Sequence, residues 1–302
     1  MKMFKIIKKI IKEPYRILLY IDKRNIYHLK DKVFLSYRYE SIFKKKLNLV
    51  NPQTYNEKIQ WLKLNDRKDI YTTMVDKYEA KRYVANIIGE EYVIPTIGVY
   101  NSFDEIDFDK LPKQFVIKCT HDSGGVIVVK DKNKLNIDDV KSLISKSLKT
   151  NFYYRGREWP YKNVKPRIII EPYLEDKKVH ELRDYKFFAF SGKVKLMFIA
   201  SNRQGKGDTY FDFFDRNFKH LDIINGHPMN PKGVEKPKNY KKMIELAEKL
   251  SNKVPQVRID FYEINGKIYF GEITFYHWSG FTPFEPEEWD LKLGKLIELP
   301  RK

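Results

Sequence analysis

The spacing of apolar residues changes period along the chain, and each change marks an expected element. Over residues 1–13, Phe4, Ile7, Ile10 and Ile11 stand against Lys2, Lys5, Lys8, Lys9 and Lys12 at helical spacing. This is a short basic amphipathic helix, stopped by Pro14. Lysines interrupt every apolar run there, so it is not a secretory leader. Thr54-Tyr55-Asn56-Glu57 has the form of a capping box, in which the hydroxyl accepts the N3 amide and the carboxylate reaches back to the cap amide. The helix it starts carries Ile59, Trp61 and Leu62 to about residue 64, and a second helix is predicted over 73–88, closed by Gly89.

The pattern then turns to short strands at 92–94, 114–119 and 126–129, a helix at 137–148, a polar and aromatic loop over 150–166, and a strand at 167–171. Residues 183–190 and 193–201 form a hairpin about Ser191-Gly192, and residues 258–262 and 267–273 a second about Asn265-Gly266. Between them lie a long loop over 202–238, around a strand at 210–214, and a helix at 240–251. A last helix covers 286–299. Helices followed by mixed helix and antiparallel strand give an α+β class in several lobes.

Composition narrows the partners. The 302 residues hold 20 Phe and 21 Tyr, which argues against disorder. A single cysteine, Cys119, excludes a disulfide scaffold and a cysteine-built zinc site, and suits a reducing, cytoplasmic setting. No run long enough to span a bilayer is free of charge. The net charge is +18, and residues 1–50 hold 14 Lys and Arg against four acids. That excess suits an anionic partner: the N-terminal segment either lies on an anionic inner membrane face or packs on the body and solvates its lysines. No nucleic-acid-binding motif is present, and nucleic acid is the partner least expected.

Three segments carry candidate chemistry. Arg258-Ile259-Asp260 and Glu272-Ile273-Thr274 fall on the two arms of the second predicted hairpin. Alternation makes Arg258 and Asp260 neighbours on one face of their strand, and Glu272 and Thr274 on one face of theirs; if the two strands pair through the Asn265-Gly266 turn, both carboxylates can converge on one point beside a hydroxyl. Such a set suits Mg²⁺, which binds through one or two carboxylates plus substrate phosphates; surface charges on an amphipathic hairpin are the alternative. Phe115-Val116-Ile117-Lys118 ends an apolar strand in a lysine and runs into Thr120-His121-Asp122-Ser123-Gly124-Gly125. That turn suits phosphate, although a plain hairpin fits it as well. Ile168-Ile169-Ile170-Glu171-Pro172-Tyr173-Leu174 offers free backbone groups beside apolar side chains, as an adenine ring requires, or is simply a strand ending at proline.

Together, in this order, these segments resemble the TupA-like (teichuronopeptide-biosynthesis) ATP-grasp family of polysaccharide biosynthesis proteins. The resemblance runs from Pro52 to about residue 299. It includes Asn51-Pro52-Gln53-Thr54-Tyr55-Asn56-Glu57-Lys58-Ile59-Gln60-Trp61, Asp76-Lys77-Tyr78, Ile94-Pro95, Leu111-Pro112, Asp184-Tyr185-Lys186-Phe187, Arg258-Ile259-Asp260-Phe261-Tyr262 and Gly271-Glu272-Ile273-Thr274-Phe275. It implies an ATP-grasp fold, two α+β lobes clasping ATP, divided as a basic helical segment (1–50), a helical or α+β subdomain (51–112), a first lobe (113–175) and a second lobe with the metal site (176–302). By the same resemblance, Lys77 and Lys118 bind the phosphates, Ser123, Gly124 and Gly125 form the loop over them, and Glu171 with Tyr173 and Leu174 forms the adenine hinge. Asp184 meets the ribose, with Glu181 as rival. Asp260, Glu272 and Thr274 hold Mg²⁺; Arg258 steadies a tetrahedral oxyanion; Lys186 and Arg203 bind the acyl phosphate or an acidic substrate. Thr274 stands where the wider family usually has asparagine, though threonine is usual for this branch, and the usual N-terminal domain is replaced by the basic segment.

The implied activity is an ATP-dependent carboxylate–amine ligase that attaches an amine or amino acid to a uronic-acid-containing surface polysaccharide. Three alternatives remain at this stage: an ATP-grasp phosphotransferase, a glycosyltransferase using Asp107-Phe108-Asp109, and a non-enzymatic membrane or polyanion binder. His121 contacts phosphate or is an ordinary loop histidine, and His277 with Trp278 shapes the acceptor pocket.

Overall fold

The computed structural model describes residues 15–24, 26–176, 181–203 and 207–301. The helix expected over 1–13 lies outside them. Helices α1 (Tyr15–Lys23) and α2 (Asp31–Phe43) pack together over a small core of Phe34, Leu35, Tyr39 and Phe281. Helix α3 (Tyr55–Asn65) starts at the capping box: Glu57 N donates to Thr54 Oγ1 at 3.2 Å and Thr54 N to Glu57 Oε2 at 3.1 Å.

The single helix expected over 73–88 is two, α4 (Asp69–Val75) and α5 (Glu79–Ile88). Asp76 breaks it. Its Oδ1 accepts the amides of Tyr78 (2.8 Å) and Glu79 (3.2 Å), a local alternative to the helical ladder. The strand expected at 92–94 is instead a 3₁₀ turn, Glu90–Tyr92, followed by extended chain into Pro95, which has no amide to give a ladder. Strand β1 (Gly98–Tyr100) comes later. The loop expected over 150–166 contains a short helix, α7 (Tyr153–Gly156), and a 3₁₀ turn, Trp159–Tyr161.

Strands β2 (Phe115–Cys119), β3 (Val126–Val129) and β4 (Ile168–Pro172) join β1 in an antiparallel sheet of order β1-β4-β2-β3. One face buries Phe115, Ile117, Cys119 and Ile170 against Val140 and Ile144 of α6 (Ile137–Leu148). Alternation turns Val116, Lys118 and Glu171 to the other face.

The second sheet has six strands in the order β10-β9-β5-β6-β7-β8: β5 (Asp184–Phe190), β6 (Lys193–Ser201), β7 (Tyr210–Asp215), β8 (His220–Leu221), β9 (Gln256–Ile264) and β10 (Lys267–Thr274). Both predicted hairpins form. Their turn residues take positive φ (Ser191 47°, Gly192 78°; Asn265 51°, Gly266 81°), as tight two-residue turns require. One face of this sheet packs Phe187, Ile259 and Phe261 beneath Tyr240 of helix α8 (Tyr240–Leu250). On the opposite face, Phe188 meets Tyr55 of α3, and beyond it lies a row of charged side chains. Helix α9 (Glu288–Leu296) closes on α3, where Asp290 accepts Asn56 N at 2.9 Å. Among the described residues no helix is long and apolar enough to cross a membrane.

Candidate active site

The outward face of the four-stranded sheet and the charged face of the six-stranded sheet enclose a cavity of 510 Å³. Lys77, Lys81, Lys118, Lys186 and Arg203 line it, against Glu171, Asp184 and Glu272. Val116, Val126 and Val128 on one side and Phe270 on the other add apolar surface to its walls. The arrangement offers apolar wall and basic side chains within one cavity.

On the four-stranded side, Glu171 is clamped between Lys118 and Lys81, the latter at 2.5 Å. Burial alone would raise the Glu171 carboxyl; the two ammonium groups together outweigh it and hold its pKa below the usual range. Lys77 sits in the break between α4 and α5. Its backbone amide donates to Thr120 O at 3.1 Å, and its ammonium to Cys119 O at 3.0 Å and to Asp122 O. Burial pushes Lys77 and Lys81 below the ordinary lysine value, opposed by Asp122 and Glu171 respectively. The turn that follows β2 places Ser123 and Gly124 on the cavity wall. Gly124 has φ +151°, a conformation that side-chain-bearing residues rarely adopt.

On the six-stranded side, register does the assembly. Lys186 of β5 stands opposite Asp260 of β9, which stands opposite Glu272 of β10; Arg258 stands opposite Thr274. Arg258 grips Asp260 with two parallel bonds of 2.8 Å and also donates to Glu272 (3.1 Å) and Thr274 (3.0 Å). Lys186 adds an ammonium on Asp260. Burial would raise the Asp260 carboxyl, but Arg258 and Lys186 hold it well below the carboxylate range. Burial would lower Arg258, and Asp260 reverses the direction. Burial lowers Lys186, with Asp260 opposing.

Behind this row lies His277. Its Nδ1 accepts from Arg258 Nη1 at 2.7 Å and its Nε2 donates to Asn225 Oδ1 at 2.8 Å, which fixes the neutral tautomer. Burial, then Arg258, drives its pKa well below 6.5.

The cavity therefore gathers Lys77, Lys118, Ser123, Gly124, Glu171, Tyr173, Leu174, Asp184, Lys186, Arg203 and Glu272. Asp260, Arg258 and Thr274 stand one layer behind Glu272, joined to it through the arginine. Gly125 is turned away, its amide on Asp122 Oδ1 at 3.3 Å. Glu181 faces Arg183 (2.6 Å) and accepts the Asn202 amide (2.7 Å), whereas Asp184 lines the cavity and holds Arg203. Asp184 Oδ1 is buried with no hydrogen-bond partner. His121 turns to Ser147 O at 3.0 Å, and Asp107 pairs with Lys110 on an exposed turn.

Among the described residues no three His, Cys, Asp or Glu side chains gather as a metal-holding group. The expected set is two carboxylates and a hydroxyl. This is an oxygen donor set chemically fit for a hard cation whose remaining ligands come from phosphate. Glu272 is its opening onto the cavity; both Asp260 oxygens already hold cations.

Sequence reasoning missed Lys81 and the apolar walls. The i, i+4 spacing of Lys77 and Lys81 was available as a signal. The valines of β3 show only the alternation of any half-buried strand.

Comparison with solved structures finds D-alanine–D-alanine ligase from Helicobacter pylori (16% identity, 82% of this chain and 69% of that one, TM-score 0.43). It also finds the Bacillus anthracis enzyme of the same name (19% identity, 74% and 59%, TM-score 0.38). A third is the biotin carboxylase domain of Hydrogenobacter thermophilus 2-oxoglutarate carboxylase, in complex with MgADP (12% identity, 76% and 47%, TM-score 0.43). The chain spans 59% of the length of the Bacillus anthracis ligase. No curated protein sequence matches it. A profile of the TupA-like ATPgrasp family matches residues 57–298, and that span takes in both sheets and every cavity-lining side chain described above. With its α+β ATP-grasp fold, the chain belongs to the TupA-like ATPgrasp family.

Proposed function

We propose that the protein is an ATP- and Mg²⁺-dependent carboxylate–amine ligase that works through an acyl phosphate. The observation that carries this reading is the meeting of Lys77, Lys118, Lys186 and Glu272, from distant parts of the chain, around one cavity whose walls also carry Val116, Val126, Val128 and Phe270. In this reading the apolar walls take adenine, with Glu171 and the Tyr173–Leu174 backbone along its edge. Asp184, with a buried oxygen still unpartnered, receives the ribose. Lys77 and Lys118, now held by the protein's own oxygens, turn to the phosphates under the Ser123–Gly125 loop. Mg²⁺ held through Glu272, Asp260 and Thr274 would offset charge on the transferring phosphoryl group.

A carboxylate is a poor acyl donor because expelling oxide from it is prohibitive. Attack of its oxygen on the γ-phosphorus forms an O–P bond and releases ADP, leaving an acyl phosphate with a good leaving group. Lys186 and Arg203 bind that anionic intermediate. An amine then attacks the carbonyl carbon, Arg258, freed from Glu272 and Thr274 as these turn to the metal, gives that donor to the oxyanion, and phosphate departs as the amide forms. His277 and Trp278 border the acceptor side.

In this reading the carboxylate donor is a uronic acid of a surface glycan or its precursor and the acceptor an amine or amino acid, a choice supported by the resemblance of the motifs to polysaccharide-biosynthesis proteins. The basic N-terminal fifty residues bring the enzyme to the anionic inner face of the membrane, where lipid-linked glycans are assembled.

Purified protein incubated with Mg-ATP and pooled uronic acids and amines is expected to release ADP and phosphate only when both substrates are present. ADP without free phosphate would identify a phosphotransferase. UDP-sugar binding with no ATP binding would identify a glycosyltransferase and end the ligase reading.

A further inference from the structure

The first described segment exposes more apolar surface than a monomer's edge needs. Ile17, Tyr20, Ile26 and Tyr27 are 44%, 56%, 73% and 62% exposed. Large side chains left open so close together mark an interaction surface. Arg16, Lys23 and Arg24 are interleaved with them, and the Arg24 guanidinium lies over the Tyr20 ring at 5.2 Å. Apolar side chains, tyrosines with a polar tip and a cationic surround are the chemistry of a surface that enters the headgroup layer of an anionic bilayer. The partner is fixed by charge: with only four acids in the first fifty residues, two copies of this face would repel each other.

This face is also locked to the catalytic body. Asp22 of α1 is buried, accepts the Leu29 amide at 2.8 Å and pairs with buried Arg157. His28 stacks on Tyr154 with 3.6 Å between ring centres. Gly156 O in turn accepts from Lys63 at 2.8 Å, and the same ammonium donates to Ser279 O at 2.7 Å, two residues beyond His277, the partner of Arg258. The α1 turn, residues 153–157 and residues 277–280 thus form one packed block.

We infer that Ile17, Tyr20, Ile26 and Tyr27 are the bilayer-inserting residues of this protein, and that docking through them holds the acceptor side of the cleft at a fixed attitude to an anionic membrane surface. This deepens the membrane reading above and rests on it, not on the ligase chemistry.

The test is flotation of the full chain with vesicles of phosphatidylcholine alone and of phosphatidylcholine with phosphatidylglycerol. The combined variant Ile17→Ser, Tyr20→Ser, Ile26→Ser, Tyr27→Ser is compared in parallel. All four side chains are exposed, so the variant is expected to keep its thermal midpoint and its Mg-ATP affinity. Wild type is expected to float only with the anionic vesicles, and the variant to lose on the order of a hundredfold in partition. Variant partition equal to wild type overturns the inference, because the basic residues alone then account for binding. So does wild type that ignores anionic vesicles yet forms dimers the variant does not, because a second copy then covers the face. Wild type that floats with neither vesicle and forms no dimer overturns the membrane reading and this inference with it, whereas wild type that floats but shows no substrate-dependent ADP release counts against the ligase reading alone.

Discussion

The two sheets present charge to the same cavity in opposite ways. On the four-stranded side the lysines are held loosely: Lys118 and Lys81 share one carboxylate, and Lys77 rests on two carbonyls and the edge of Asp122. Each can exchange its present partner for a phosphate oxygen without stranding a buried anion. On the six-stranded side Arg258 alone ties Asp260, Glu272, Thr274 and His277 together, and Lys186 completes the charge balance on Asp260. Removing Arg258 or Lys186 there leaves buried Asp260 short of a partner, which costs far more than the bond itself. One sheet offers movable cations; the other is a fixed frame from which Glu272 projects.

Breaking the contrast where it matters most, Glu272→Ala is expected to lower substrate-dependent ADP release by about a thousandfold or more, since it removes the one carboxylate of the proposed metal set that reaches the cavity. At 39% exposure the side chain contributes little to folding, so the thermal midpoint should hold. Retained turnover would remove the metal assignment.

A smaller, paired effect separates the sheets directly. Lys118→Met should weaken Mg-ATP binding roughly ten- to a hundredfold, the range for a lost charge-assisted hydrogen bond, and cost less stability than Lys186→Met, because Lys81 still neutralises Glu171 and Lys118 is itself more exposed than Lys186 (20% against 8%). Lys186→Met should lower unfolding free energy by about 2 kcal/mol, because Asp260 is buried and loses one of its two cations. Calorimetric titration and urea denaturation of both variants check this. Equal stability losses would mean the two sides are not built differently.

What was legible in the sequence follows from the range of the interactions. The Ser191-Gly192 and Asn265-Gly266 turns were legible locally, but a regular ladder from Asn265-Gly266 would set Asp260 opposite Gly271; a register shift between Phe270 and Glu272 brings Glu272 opposite Asp260, and spacing alone does not show it. The capping box, like the turns, was legible locally. The break at Asp76 was not, because its side chain competes with a helix that propensity favours on both sides, and Arg167, ninety-one residues away, holds its other oxygen at 2.7 Å. Nor was Lys81's role legible, since Lys81 stands on α5 and its partner Glu171 arrives from β4, far along the chain. Arg258 could be placed on the right face by alternation, but its bond to His277 depends on the turn after β10, where Trp278 and Ser279 take positive φ (50° and 57°).

That bond gives the smallest test and the one most specific to the fixed frame. His277 is kept neutral in the folded protein because burial and Arg258 oppose its protonation, whereas in the unfolded chain it titrates near its ordinary value of about 6.5. Below that pH the unfolded state binds a proton the folded state refuses, so stability is present above about pH 6.5 and is lost as pH falls. The slope approaches about 1.4 kcal/mol per pH unit for one proton. Glu171 and Asp260 have folded pKa values below their unfolded ones and add their own losses below about pH 5. Lys63, lowered by burial to about 7, adds a loss in the same sense as the histidine, while Glu158, Asp212 and Asp290, raised by burial, act in the opposite sense. The histidine is therefore isolated by the difference between wild type and a variant and not by the slope alone. His277→Gln keeps an acceptor for Arg258 and a donor for Asn225 while removing the titration. Between pH 6.5 and 5.5 its stability should fall by less than that of wild type, the difference approaching the one-proton slope. Parallel declines in the two proteins would show that His277 is not the neutral brace of Arg258, and the frame on the six-stranded side would have to be sought in Asp260 and Thr274 alone.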